Sequence, residues 1–224
     1  MSDARPNERK IKAVLFDYDG VLADTMGDNY RAWQYAFKGC GVSLRRRDYF
    51  LLEGYPAIDV VKIMAKKYQL GKGAPLDQVL SKKEEFYQQH HRLVFYRGVL
   101  PILRRLKKKR VRLALVSGAR QERVRATVPA KFLARFDTVI TADGLGRNKP
   151  WPDPYRRAVS RLHALPEECV AIENSPVGIH SAKRAGIYCV GVCSTLRRSF
   201  LMEADEVVRA FHDLRTSRVL GPLL

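Results

Sequence analysis

The residues best suited to chemistry in this 224-residue chain are Asp17-Tyr18-Asp19-Gly20, which follow the short apolar run from Ile11 to Phe16. In an extended segment residues two apart point to the same side, so both carboxylates are expected to face one site. Two acids at the end of an apolar segment are costly unless a cation pairs with them. Further polar groups come at comparable places: Ser117-Gly118 after Val111 to Val116, Glu173-Asn174 after Cys169 to Ile172, and Lys149 in Asn148-Lys149-Pro150 ahead of a helical pattern. Each alone reads as an ordinary turn or surface feature. Together they suit one reaction. Oxygen donors from Asp17, Glu173 and Asn174 fit Mg²⁺, which binds through few carboxylates and substrate phosphate. Ser117, the Gly118 N–H and Lys149 are then placed for the remaining phosphate oxygens. Asp17 becomes the candidate nucleophile toward phosphorus, and Asp19 the candidate acid and base for the leaving oxygen and the attacking water.

Bringing these residues together takes strands that end side by side. Ile11–Phe16, Val111–Val116, Thr138–Ile140 and Cys169–Ile172 are near-continuous apolar runs, as strands covered on both faces require. Helical patterns separate them. Val99, Ile102, Leu103 and Leu106 follow the i, i+3, i+4, i+7 spacing, as do Tyr155, Ala158, Val159 and Leu162. Asp153 followed by Pro154 predicts a capped helix start, Ser175-Pro176 predicts another, and Gly186 is placed to close the latter. Strand and helix in alternation predict an α/β fold with a Rossmann-like parallel sheet and right-handed crossovers, whose carboxyl edge is the ligand edge.

Residues 25–97 interrupt the alternation. They carry three apolar stripes at helical spacing (Tyr30, Trp33, Phe37; Ala57 to Tyr68; Leu76 to Val94) and no convincing strand, which predicts an inserted all-helical domain between a core of 1–24 and 98–224. Of the chain's 21 aromatic residues, 12 lie in this stretch, and their place on the stripes marks them as bundle core rather than base-stacking platforms.

The formal charge of +18 raises a nucleic-acid or membrane-surface partner. The charge is spread, however: 25–97 has 13 basic and 7 acidic residues, net +6 over 73, and the rest has 28 and 16, net +12 over 151. The densities are nearly equal, so a solvated surface that attracts phosphorylated substrates is the simpler reading, and nucleic acid is not the expected partner. No apolar run reaches the roughly 18 residues of a membrane span, and MSDARPNERK lacks the apolar core of a signal peptide. A cytoplasmic protein, monomeric by default, is expected. Cys40, Cys169, Cys189 and Cys193 show no metal-binding spacing and read as buried thiols.

From about Lys12 to Leu214 the chain resembles the haloacid dehalogenase-like hydrolases, in the branch with β-phosphoglucomutase and phosphoglycolate phosphatase-type enzymes. VLFDYDGVLADT (14–25), LALVSGA (113–119), NKPWPDPY (148–155) and AIENSPVGIHSAKRAG (171–186) stand in the order of that family's four motifs. The resemblance implies a helical cap at 25–97, Asp17 as nucleophile, Asp19 as acid/base with its carbonyl on Mg²⁺, and Ser117 and Lys149 on phosphate. It implies phosphatase rather than dehalogenase chemistry, since the dehalogenases proper lack the second Asp. Three departures stand out. Asn174 replaces the second of two adjacent acids, which leaves a carbonyl oxygen with one less charge; Asn29 stands where the mutases have a histidine; and Ala57 fills the slot of an arginine that grips a distal sugar phosphate. The last two weigh against a mutase. The expected protein is a Mg²⁺-dependent phosphatase of a small phosphorylated metabolite, with Glu53, Gly54 and Arg120 as candidates for selecting it. A β-phosphoglucomutase-like mutase and an inorganic pyrophosphatase are the enzymatic alternatives, and a non-catalytic basic nucleic-acid-binding module is the alternative of another class.

Overall fold

A computed structural model of the chain describes residues 10–71 and 73–224; most of MSDARPNERK lies outside them. Six strands form one sheet in the order β3-β2-β1-β4-β5-β6, with every neighbouring pair parallel. They are β1 (Ala13–Phe16), β2 (Arg112–Val116), β3 (Thr138–Ile140), β4 (Cys169–Glu173), β5 (Tyr188–Val192) and β6 (Glu206–Val208). The Rossmann-like α/β architecture is therefore as expected, with two strands more than the sequence reading placed. β5 is an apolar run like the others, and β6 has three residues at the sheet's edge, too few for a periodic signal.

The sheet is covered on both faces, which is why its strands read as continuous apolar runs. Helices α5 (Val99–Lys108), α6 (Gln121–Thr127), α7 (Ala130–Leu133), α8 (Asp153–Arg161) and α9 (Pro176–Arg184) belong to these layers. Val14 and Phe16 of β1 pack with Ile102, Leu103 and Leu106 of α5, while Ala13 and Leu15 pack with Tyr155 and Ala158 of α8 and Ile179 and Ala182 of α9. At α9 the predicted start holds: Ser175 is the N-cap and its hydroxyl accepts the Gly178 N–H at 3.1 Å. Gly186, at φ +79°, follows its end. At α8 the start differs by one residue, because Pro152 precedes the helix, Asp153 is already helical and its side chain caps nothing.

Between β1 and α5 the chain forms α1 (Met26–Lys38), α2 (Arg46–Phe50), α3 (Ala57–Lys67) and α4 (Leu76–His90), and no strand among the described residues. These helices bury their own apolar cluster, including Met26, Trp33, Phe37, Val60, Val61, Met64 and Val79. The α4 stripe is not the one its apolar residues suggested. The buried face is Val79, Lys83 and Tyr87, whereas Phe86 stacks outward between Tyr35 and His90, and Val94 lies beyond the helix, exposed. The two connections to the core run side by side: Asp24 N–H donates to Val94 O at 2.8 Å and Tyr96 N–H to Leu22 O at 3.1 Å.

Candidate active site

The sheet edge brings Asp17, Ser117, Lys149 and Glu173 together. β1 is flanked by β2 and β4, so residues just past its end are flanked by the ends of those strands. The Asp17 N–H still donates to Ile172 O at 3.0 Å, and the Ser117 N–H to Ile140 O at 2.9 Å, which holds both residues in the sheet's register. Lys149 enters from the segment between β3 and α8. Its Nζ donates to Asp17 Oδ1 and Glu173 Oε1, both at 2.7 Å, and to Val116 O at 3.2 Å. Tyr155 of α8 adds a 2.6 Å hydrogen bond to the same Glu173 oxygen. All four side chains are buried. Burial alone would lower the Lys149 pKa, but the fields of Asp17 and Glu173 outweigh it and raise it, so the ammonium is firmly charged. Burial is also the largest effect on Asp17 and pushes its carboxyl well above the usual range against the pull of Lys149.

Whether this edge suits Mg²⁺ turns on Asn174. Its Oδ1 is buried without a hydrogen-bond partner, while its Nδ2 donates to Thr195 Oγ1 at 3.0 Å, which fixes the amide's orientation. An orphaned hard oxygen at the ligand edge is what a cation would satisfy. The Asp17 carboxylate and the Asp19 carbonyl, just past the end of the neighbouring strand, could complement it. Gly20, at φ +82°, lets the turn pass the amide; a Cβ there would lie 2.1 Å from Asn174 Nδ2. Glu173 also holds the lysine: Lys149 and Tyr155 donate to its Oε1, while its Oε2 accepts only the Asn174 N–H at 3.3 Å. Among the described residues no cluster of three or more His, Cys, Asp or Glu forms a metal site, so a donor set here would have to include amide or backbone oxygens.

Asp19 belongs to a second cluster. Thr25 Oγ1 donates to its Oδ1 at 2.6 Å and Asn29 Nδ2 at 3.3 Å; Arg123 Nη2 donates to its Oδ2 at 2.5 Å. Arg123 Nη1 also reaches Asn29 Oδ1 at 3.0 Å, and the guanidinium lies 5.0 Å from the centre of the Tyr87 ring. Arg123 was missed in the sequence because Arg120, Arg123 and Arg125 are equivalent as charges. The one signal was its position four residues before Thr127, on the buried face of α6. Beside it Lys83 is buried between Trp33 and Tyr87 and paired with Glu84 at 2.9 Å; burial is the largest effect on its pKa and lowers it.

Asp19, Asn29, Trp33, Lys83, Glu84 and Arg123 line a cavity of about 510 Å³ between the helical insertion and the sheet edge. Glu53, Gly54 and Arg120 all line it. Glu53 receives a 2.8 Å hydrogen bond from Tyr49, and burial, then the Asp19 charge, raises its pKa to about 7. Arg120 is largely exposed and only 3.5 Å from Asp143, at the rim. Ser117 Oγ accepts the Ala119 N–H at 3.1 Å, beginning the turn whose Gly118 and Ala119 line the cavity. Gly118 is pressed against the insertion: a Cβ on it would meet Gly54 O at 2.7 Å.

The family profile of haloacid dehalogenase-like hydrolases matches residues 14–192. The chain belongs to that family of enzymes. It is 31% identical over 214 residues to the validoxylamine A 7'-phosphate phosphatase of Streptomyces hygroscopicus subsp. limoneus, covering 94% of this chain and 99% of that one. The β-phosphoglucomutase of Bacillus subtilis is 27% identical, over 91% of this chain and 92% of its own. Among solved structures, CbbY from Rhodobacter sphaeroides in complex with phosphate superposes with a TM-score of 0.73 at 26% identity, over 91% of this chain and 96% of that one.

Proposed function

We propose that the protein is a Mg²⁺-dependent phosphatase acting on a small phosphomonoester, with residues 25–97 as a cap over a catalytic core of 1–24 and 98–224. The observation that carries the reading is the Lys149 ammonium fixed at 2.7 Å from both Asp17 and Glu173 at the carboxyl edge of the sheet, next in sequence to Asn148, which with Gly118 and Asp19 lines the cavity under the helical insertion. The paired connections at Asp24–Val94 and Leu22–Tyr96 support the cap boundaries.

Asp17, Asn174 Oδ1 and the Asp19 carbonyl would hold Mg²⁺, which when bound neutralises charge on the phosphoryl oxygens and lets an anionic nucleophile approach. Lys149 and the Ser117-Gly118 turn hold the other phosphoryl oxygens. Asp17 attacks phosphorus, and the bond to the leaving oxygen breaks as Asp19 gives that oxygen a proton. Asp19 then takes a proton from water, whose oxygen attacks the aspartyl-phosphate, releasing phosphate and restoring Asp17. Glu173 and Tyr155 act through Lys149 by keeping its ammonium in place.

Relatives of the chain are named phosphatase, phosphoglucomutase and pyrophosphatase. Asn29 supports hydrolysis over phosphosugar transfer, because it is engaged with Asp19 and Arg123. Ala57 at the start of α3 offers no cation to a second phosphate. Phosphate release from a panel of phosphomonoesters, measured with Mg²⁺ and with chelator, tests the reading. Release with Mg²⁺ and its loss on chelation are expected, and Asp17→Asn is expected to lower turnover by about 10⁴-fold or more with the fold intact. Near wild-type release by that variant overturns the mechanism, and isomerisation of β-glucose 1-phosphate primed with its bisphosphate, without net phosphate release, turns the reading to the mutase.

A further inference from the structure

Asp19 is held by three donors, and Arg123 contributes the strongest of them. For Asp19 to reach a leaving oxygen it must let go of Arg123 Nη2. The guanidinium has nowhere to follow. Its side chain is about one-eighth exposed, its Nη1 is fixed at 3.0 Å to Asn29 Oδ1, and its Cζ lies 5.0 Å from the centre of the Tyr87 ring. A buried guanidinium nitrogen stripped of its carboxylate is expensive unless another oxygen takes its place. Water is a poor substitute in a cavity filled by substrate. The replacement must then come from the substrate itself.

The charges around the site say what kind of oxygen. Two cations line the inner cavity, Arg123 and Lys83. Lys83 is already paired with Glu84 at 2.9 Å, and Glu53 is committed to Tyr49 at 2.8 Å. Arg120 and Asp143 pair with each other at the rim. When Asp19 swings away, Arg123 loses the one carboxylate hydrogen-bonded to it among the described residues; Glu84, whose charge also reaches it, is held by Lys83 through one oxygen, and the guanidinium fork favours a carboxylate or phosphate over a lone hydroxyl.

We propose that Arg123 is a specificity-determining residue: it exchanges the Asp19 carboxylate for an anionic oxygen on the substrate's leaving group, so that Asp19 is released for proton transfer chiefly by phosphomonoesters carrying a second acidic group. This rests on the reading of Asp19 as the acid/base. Arg123 does not touch the phosphoryl group being transferred; it reads the other end of the substrate and ties that recognition to the position of Asp19. Because its partners Asn29 and Tyr87 belong to α1 and α4, the same exchange depends on how the helical insertion sits over the core.

The test compares three small phosphomonoesters whose leaving groups carry a carboxylate, hydroxyls only, or neither: 2-phosphoglycolate, glycerol 1-phosphate and ethyl phosphate. With the wild-type enzyme and Mg²⁺, kcat is expected to fall in that order, by about a hundredfold from first to last, the scale of leaving a buried charge unpaired. In Arg123→Gln the ratio of first to last is expected to narrow to about threefold or less. Arg123→Lys keeps the charge but loses the fork, and an intermediate ratio is expected; it also carries the test if the glutamine variant does not fold by circular dichroism. Phosphate release with no such ordering, or wild-type discrimination in both variants, overturns the role of Arg123 alone. No phosphate release from any compound overturns the phosphatase reading and this proposal with it.

Discussion

Lys149 and Arg123 are both buried cations gripping an aspartate of the same Asp17-Tyr18-Asp19 segment, yet the two clusters are built differently. Asp17, Lys149 and Glu173 sit at the end of a parallel sheet, where β1 and β4 fix the backbone and Tyr155 donates to the same Glu173 oxygen as Lys149. Asp19, Arg123 and Asn29 are drawn from a turn, a core helix and an inserted helix, and they face a cavity. The first arrangement has no room to rearrange. The second can exchange partners, because its acceptors and donors are shared among elements that need not move together. In the mechanism proposed above, a rigid charge pair beside an exchangeable one would let one carboxylate stay on phosphorus while the other moves.

The contrast is open to direct test, and stability should show it most strongly. Lys149→Met removes the cation between two buried acids and is expected to cost about 3–5 kcal/mol. Arg123→Met, next to the cavity, should cost roughly 1–3 kcal/mol, since Thr25 and Asn29 still serve Asp19. Urea unfolding of both at pH 7 provides the comparison, and equal costs would break it. A smaller effect is expected where the metal reading meets the rigid side. Asn174→Asp gives the orphaned oxygen a charge, and the Mg²⁺ concentration for half-maximal phosphate release should fall about tenfold, some 1.4 kcal/mol; no change would remove Asn174 from the donor set.

The smallest effect lies at Glu53. Burial and the Asp19 charge hold its pKa near 7 in the folded chain against 4.5 for a free side chain. The folded state therefore keeps a proton that the unfolded state has released, and the stability this gives at low pH is lost as pH rises from about 4.5 to about 7. Glu53 is half-buried and open to the cavity, so solvent trims the effect to about 1 kcal/mol. Wild-type stability minus that of Glu53→Gln should decline across that window, and a flat difference would mean that Glu53 ionises freely.

The two clusters also differ in how far they could be read from residues alone. Asp17, Ser117, Lys149 and Glu173 each stand at the end of an apolar run or just before a helix start, and a parallel sheet lines up such places by its own geometry. The partnership of Glu173 with Lys149 and Tyr155 was harder to see, because a carboxylate at a strand end gives no sign of which neighbour it will meet. Arg123 was hidden among three arginines within six residues, and only the packing of α6 against α4 and Asp19 singles it out. Lys83 was hidden for the opposite reason: a lysine on the buried face of α4 breaks the apolar stripe by which helices are recognised. β6 was too short to announce itself. The Rossmann-like sheet was legible because its period is regular, and the exchangeable cluster was not because tertiary packing alone defines it.

Gly54 and Gly118 meet backbone to backbone where the insertion touches the core, with Ser175 Oγ 3.2 Å from where a Gly54 Cβ would sit. A joint made without side chains has no thickness to adjust. Any substitution on either side works as a shim, lifting the insertion away from the sheet edge before it changes a single polar contact. Variation among substrates must therefore be accommodated farther out, on the cavity walls at Glu53, Lys83 or Arg123, while this pair sets the clearance to which every such change has to conform.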